Sequence, residues 1–364
     1  MKTLGFVLLA AALASATPLA AAETAADVIK AFGLRESAKP MREVQGWTKP
    51  MKIAVIVDSA ERLAWIQQEV KGVTLVPIRV PKDAAAAIAD ADAYVGVCTL
   101  PLISSAKKLR WIQTQQAGVE DCLAPNVMAG GIVVTNVQRL NGPNVAEHAM
   151  ALLLAVSRQL NVALENQLEG KWDPRTMTDA VDLDGKTMLI AGLGGIGTEI
   201  AKRAHAFGMK IIATRATSRE APDFVAKVGL ASELPQMIGE ADVVVNVTPF
   251  TPETTKMFDA AMFKRMKDGA IFINVGRGES VVTDDLVEAL DSGKLRGAGI
   301  DVTDPDPLPN NHKLWTSPNV IITPHTGATS EIKRERVWLL MRENMRRYVA
   351  GDKMLSVVDV KKGY

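Results

Sequence analysis

The stretch "TMLIAGLGGIGTEIAKRAHAFG", residues 187–208, leaves few folds open to the chain that carries it. An apolar run leads into Gly192-x-Gly194-x-x-Gly197, and a helix-forming segment follows at once. Three glycines at that spacing are weak evidence alone, since glycine-rich turns are common. Between a strand and a helix they are much stronger. Gly192 permits the tight turn, Gly194 lets a ligand approach the backbone, and Gly197 lets helix and strand pack closely. The helix N-terminus offers free N–H groups and a partial positive charge, which suits a pyrophosphate. The expected unit is the strand–turn–helix of a parallel sheet that holds a dinucleotide.

The rest of the chain repeats the pattern. From residue 51, short β-branched runs ("KIAVIV", "TLVPI", "AYVGV", "RWIQT", "IVVTN") alternate with helical segments such as "AERLAWIQQEV". A second alternating series runs through "KTMLIAG", "MKIIAT", "ADVVVNVT", "GAIFINVG", "LRGAGIDV" and "NVIITPH". Alternation of this kind predicts an α/β protein with parallel sheets covered on both faces. The expected organisation is two doubly wound, Rossmann-like domains, with the cofactor domain (150–323) inserted in a substrate domain made of 51–149 and 324–364. "NVAEHAMALLLAVSRQLNVALENQLEG" reads as one long helix, capped at Asn144 and stopped by Gly170.

The N-terminus differs in kind. Residues 1–22 combine Lys2, an apolar core and the small-residue stop Ala20-Ala21-Ala22. They read as a secretory signal peptide, too short in its apolar core for the ~20 residues of a membrane span. Residues 23–50 then form a lead-in arm. The expectation is an exported, periplasmic protein; if Met51 were the true start, it would be cytoplasmic. A net charge of +1 gives no electrostatic reason to expect nucleic acid or an anionic membrane as partner. Cys98 and Cys122 are too few for a disulfide framework and lack metal-ligand spacing. They could form a single bridge, but two buried thiols are the simpler expectation.

The strand after the glycines decides which dinucleotide. A carboxylate about 20 residues on would hold the ribose hydroxyl and select NAD. Here "MKIIATRATSR" puts Arg215 there, with Arg219 following and Thr214 and Ser218 as hydroxyl donors. The expectation is NADP(H), with NAD(H) as the second choice, because an arginine favours a 2′-phosphate.

With these residues in view, the chain resembles the D-isomer-specific 2-hydroxyacid dehydrogenases, and the glyoxylate/hydroxypyruvate reductase group in particular. The likeness covers about residues 51–364 through "LDGKTMLIAGLGGIG", "VVVNVTPFTPETTKMF", "INVGRGESV", "GAGIDVTDPDPLP" and "ITPHTGATS". It implies two α/β domains, a cleft between them, a small 2-keto or 2-hydroxy acid as partner, and a homodimer. By the same resemblance Arg277 of "NVGRG" binds the substrate and His325 of "TPHTG" is the acid/base. The histidine's acid is a glutamate in the family; this chain has Asp306 in "DPDPLP", with Asp304 nearby as an alternative. Gly195 and Ile196 match pyrophosphate contacts, Thr248 and Pro249 a loop beside the cofactor, and Val275 and Asp301 groups near the nicotinamide. Ala117 and Gly118 of "QQAGVED" match the backbone N–H groups that hold a substrate carboxylate. No metal site is expected.

The chemistry suits these groups. Reducing a 2-keto acid needs a hydride on carbon and a proton on oxygen. A guanidinium grips a carboxylate and polarises the neighbouring carbonyl. A histidine oriented by a carboxylate supplies the proton. Each motif also has a plainer reading: a surface turn for Pro-His, a helix cap for Arg277, a solvated loop for "DPDP". Their joint placement after strands behind a dinucleotide loop, where such sheets bind ligands, favours the active site. His148, His205 and His312 read as structural. The competing functions are a low-activity NADP(H)-binding sensor or scaffold, and a related formate- or phosphite-type dehydrogenase.

Overall fold

The structure, a computed structural model, describes residues 23–364; the signal-peptide reading of 1–22 lies outside the described residues. Among them, twelve strands form two all-parallel sheets. The first contains β1 (Lys52–Ile56), β2 (Thr74–Ile78), β3 (Ala93–Gly96), β4 (Trp111–Thr114) and β5 (Val133–Thr135), in the order β2-β1-β3-β4-β5. The second contains β6 (Thr187–Ala191), β7 (Lys210–Arg215), β8 (Val225–Leu230), β9 (Val243–Asn246), β10 (Ala270–Asn274), β11 (Leu295–Ile300) and β12 (Val320–Ile322). Its order is β12-β11-β10-β9-β6-β7-β8, so the chain changes direction across the sheet between β6 and β9. Both are doubly wound orders, and both leave a crevice at the carboxyl ends of the strands. β9 and β10 are buried along their whole length, as strands covered on both faces should be.

Hydrophobic packing explains how the chain closes on itself. The Lys333–Ala350 helix returns to the first sheet, burying Met341, Met345 and Tyr348 against Ile53, Val95 and Trp111. Inside that contact, the Asn344 carboxamide donates to Gln113 Oε1 at 2.8 Å and accepts from the Leu355 N–H at 2.9 Å. A buried polar pair satisfied on both sides fixes one docking register, since any slip would leave it unpaired. The arm adds Val28, Leu34 and Met41 to the same core. The Gly142–Ser157 helix instead packs on the second sheet through Ala149, Leu152 and Leu153.

Three local expectations need correction. The long helix is two, Gly142–Ser157 and Leu160–Leu168, because Gln159 takes left-handed backbone (φ 52°) and breaks the hydrogen-bond ladder; the cap is Asn141, not Asn144. The second series has one more strand than its pattern shows: β8, an edge strand whose exposed Ala226 and Lys227 hide the alternation. Cys98 and Cys122 form a disulfide rather than two buried thiols, with Cα atoms 5.0 Å apart. Their separation of 24 residues is one strand–helix–strand crossover, and β3–β4 pairing brings the ends of that crossover together.

Candidate active site

Strand register sets out the site before any side chain is considered. Ala191, Asn246, Asn274, Ile300 and Ile322 lie side by side across β6, β9, β10, β11 and β12. The residues that follow this row are the glycine loop, Thr248-Pro249, Val275-Gly276-Arg277, Asp301 and Thr323-Pro324-His325. Five separate motifs therefore open onto one edge of one sheet. Facing them across a cleft of about 820 Å³ are Ala117, Gly118 and Glu120 from the loop after β4, so the cleft lies between the two sheets. That volume is ample for a small acid beside a nicotinamide.

The glycine loop matches its expected mechanics. Gly192 sits at φ 103°, where a side chain would be strained, and its N–H and that of Leu193 bond the Thr214 carbonyl at 3.2 and 2.9 Å. A methyl group on Gly197 would collide with the Gly192 carbonyl oxygen. The helix Gly195–Ala206 begins with no acid in its first turn and no side-chain cap, and a methyl group on Gly194 would meet only open space. Uncapped N–H groups facing a gap fit the phosphates of a dinucleotide.

At the end of β7 the donors differ in availability. Thr214 is buried and supports the loop through its backbone. Arg215 Nη1 donates to the Glu220 carbonyl and its other nitrogens have no protein partner among the described residues; Ser218 is half-buried nearby. Arg219 is committed to Glu233 at 2.6 Å and to the Val228 carbonyl at 2.9 Å.

A buried polar network holds the Arg277 backbone. Asn246 Nδ2 donates to Asn274 Oδ1 (2.9 Å) and Ser280 Oγ (2.6 Å), while Ser280 Oγ and Asn274 Nδ2 donate to the Arg277 carbonyl (2.6 and 3.2 Å). The Thr248 hydroxyl closes the set on Asn246 Oδ1 at 2.8 Å. Backbone pinned in this way aims the Arg277 guanidinium into the cleft, where Nε donates to Glu120 Oε1 at 2.9 Å. A methyl group on Gly118 would overlap Arg277 Nη2, so the guanidinium lies directly against the Gly118 backbone.

His325 Nδ1 lies 2.8 Å from Asp306 Oδ2, which selects Asp306 over Asp304 as its partner. The shorter side chain thus still reaches the ring. His325 itself takes left-handed backbone (φ 55°), an uncommon state for a residue with a side chain, and strain of this kind collects at functional sites. Asp301 holds that turn in place. Its Oδ1 accepts from Thr323 Oγ1 (2.7 Å) and the Thr326 N–H (2.9 Å), its Oδ2 from the Gly327 N–H (3.0 Å), and His148 Nε2 lies 3.3 Å away. So His148 is not merely helix-internal: it braces the turn that carries His325, through Asp301 and Thr323.

Burial resists ionisation of Asp301, yet the bonds from His148, Thr323, Gly327 and Thr326 outweigh it and hold its pKa below the ordinary value. A depressed carboxylate stabilises the fold above its unfolded pKa of ~3.9 and loses that contribution as pH falls toward its native value. Asp301→Asn, which turns an acceptor into a donor facing N–H groups, should cost about 1–3 kcal/mol in urea unfolding at neutral pH. Its stability should also fall less steeply on acidification. Wild-type stability at both pH values would exclude this role.

Among the cleft residues that the sequence reading did not name as site residues are Glu120, Asn141 and Lys333. Asn141 is 7% exposed and its Oδ1 has no hydrogen-bond partner among the described residues, as suits a group awaiting a ligand. Glu120 lies inside the "QQAGVED" stretch without standing out in it, and no local motif marks Asn141 or Lys333.

Comparison with known proteins agrees with this geometry. Residues 150–327 match the model of the D-isomer specific 2-hydroxyacid dehydrogenase NAD-binding domain. The chain is 34% identical over 261 residues to the human glyoxylate reductase/hydroxypyruvate reductase, covering 70% of this chain and 78% of that protein. It is 34% identical over 249 residues to the hydroxypyruvate reductase of Thermotoga maritima, covering 68% and 80%. Among solved structures, the NADPH-dependent glyoxylate/hydroxypyruvate reductase of Sinorhizobium meliloti, in complex with NADP and sulfate, superposes with a TM-score of 0.72. Identity there is 27%, over 86% of this chain and all of that one. The chain belongs to the D-isomer-specific 2-hydroxyacid dehydrogenase family, and is an NAD(P)-dependent oxidoreductase acting on small hydroxy or keto acids.

Proposed function

We propose that the protein reduces a small 2-keto acid, of the glyoxylate or hydroxypyruvate kind, to the D-2-hydroxy acid with NADPH. The observation that carries this reading is the convergence of Arg277 and the His325–Asp306 pair on one cleft at the strand ends. When bound, the reduced nicotinamide supplies the hydride. The N–H groups of Ala117 and Gly118 and the Arg277 guanidinium hold the substrate carboxylate. Arg277 also stabilises the negative charge that grows on the keto oxygen. Asp306 occupies His325 Nδ1, which leaves Nε2 to deliver the proton to that oxygen. Glu120 holds the guanidinium until a substrate carboxylate displaces it.

The NADPH preference is assigned to Arg215, whose free nitrogens suit a 2′-phosphate; Arg219, paired with Glu233, is the weaker candidate. Arg215→Asp should move the NADPH-to-NADH ratio of kcat/KM by about 10- to 100-fold toward NADH. An unchanged ratio would refute the assignment.

The domain division at 149/150 and 323/324, the homodimer and the export of the chain belong to the same proposal. The Cys98–Cys122 bridge supports export, since such bridges persist in oxidising compartments. A mature chain beginning at Glu23 in the periplasmic fraction is the expected finding; an intact Met1 in the cytoplasm would contradict it.

A further inference from the structure

Arg139 has the wrong backbone for its side chain. Its φ of 73° is one that glycine adopts freely and other residues avoid, and such conformations persist where a ligand clamp requires them. It lies against the start of the dinucleotide helix, where a methyl group on Gly195 would stand 3.2 Å from Arg139 Cγ. On its other side is the arm: a methyl group on Gly33 would stand 3.4 Å from Arg139 Nη1. Two residues along that arm, Arg35 is held by its carbonyl, which accepts from the Ser356 N–H at 3.0 Å.

Two cationic neighbours act on Arg139. Burial, and then the neighbouring Arg35 and Arg215, push its pKa below the ordinary value, and no carboxylate offsets them. Neither Arg35 nor Arg139 forms an ion pair with any described residue. Like charges gathered without a counter-ion repel each other, and they attract an anion to the place where they meet. The stem of Arg139 lies against Gly195, where the uncapped N–H groups of the helix open.

We propose that Arg139, supported by Arg35 of the N-terminal arm, clamps the pyrophosphate of the bound dinucleotide. The assignment rests on the dinucleotide reading of the Gly192–Gly197 loop, and it gives the arm a binding role that neither sheet supplies. The pyrophosphate is favoured over the 2′-phosphate because Arg139 touches the helix start, whereas Arg215 marks the ribose end. Arg139 thereby joins the two halves of the molecule, since it precedes the Gly142–Ser157 helix and contacts the loop after β6.

The test is equilibrium titration of the chain from Glu23 with NADPH and with NADH, followed by fluorescence, together with thermal melting. Arg139→Gly should weaken both cofactors by about 10-fold or more, the loss of one charge-assisted contact. Its melting midpoint should not fall, because glycine is at ease at φ 73°. Arg35→Ala should weaken both by about 3-fold, as a longer-range electrostatic effect. Arg215→Asp should weaken NADPH alone, so failure of the cofactor-preference reading would show there and leave the clamp standing. Unchanged dissociation constants for Arg139→Gly would overturn the clamp. A loss confined to NADPH would also overturn it, by moving Arg139 to the 2′-phosphate.

Discussion

Replacing His325 with alanine should lower kcat by about 100- to 10,000-fold while NADPH binds as before. The ring is the sole imidazole lining the cleft among the described residues, and its Nδ1 is committed to Asp306 at 2.8 Å. Removing it leaves water to protonate the oxygen, a loss equivalent to about 3–5 kcal/mol of barrier. Cofactor affinity should hold because the side chain forms no hydrogen bond with the Gly192–Gly197 loop among the described residues. The fold should hold as well, since the ring is more than half exposed and relief of its φ of 55° is not at stake in an alanine. Asp306→Asn should give a smaller loss in kcat, by keeping a hydrogen-bonding group beside Nδ1 while removing the carboxylate that orients the ring. Full activity of His325→Ala with glyoxylate or hydroxypyruvate would remove the histidine from the mechanism.

Arg277→Ala should reduce kcat/KM by about 100- to 1,000-fold, and both constants should move. KM rises because the carboxylate loses its clamp; kcat falls because the growing oxyanion loses its donor. A second effect follows from Glu120. With the guanidinium gone, that carboxylate stays at the cleft without its 2.9 Å partner and repels an anionic substrate. Adding Glu120→Gln to Arg277→Ala should therefore recover part of the loss in KM and none of the loss in kcat. Glu120→Gln alone should lower KM, because substrate no longer competes for Arg277. Additive losses in the double variant would show that Glu120 orients the arginine and does not compete with substrate.

Which of these features could be read from the residues alone follows a physical division. Local periodicity exposed all five strands of the first sheet and six of the seven in the second; β8 was hidden because Lys227 faces solvent on an edge. The glycine loop was legible because its φ and packing needs are met by residue type within a few positions. Arg277, His325 and Asp306 stood out because they follow strand patterns in the loops where such sheets bind ligands. Contacts made across the chain were not legible. Glu120 meets Arg277 over 157 positions, and Asn246 meets Ser280 over 34, through tertiary placement that no spacing encodes. The break at Gln159 was invisible for the opposite reason: the surrounding residues favour helix, and a single left-handed residue overrides them.

Asp301 shows how a residue can lie at the expected place with a different visible task. The resemblance puts it beside the nicotinamide, and it does border the cleft. Its carboxylate, however, is occupied by the Thr323–Gly327 turn, which carries His325. The strained backbone of His325 is thus held by a buried acid from the neighbouring strand. Under the proposed reaction, that arrangement would preorganise His325 as proton donor.

The most direct measurement is NADPH consumption, followed by nicotinamide absorbance, with a panel of 2-keto acids and the chain beginning at Glu23. Steady consumption with glyoxylate or hydroxypyruvate, faster with NADPH than with NADH, is the expected result. Tight NADPH binding with no consumption in the presence of any 2-keto acid would contradict it, and would leave a dinucleotide-binding protein without the reaction.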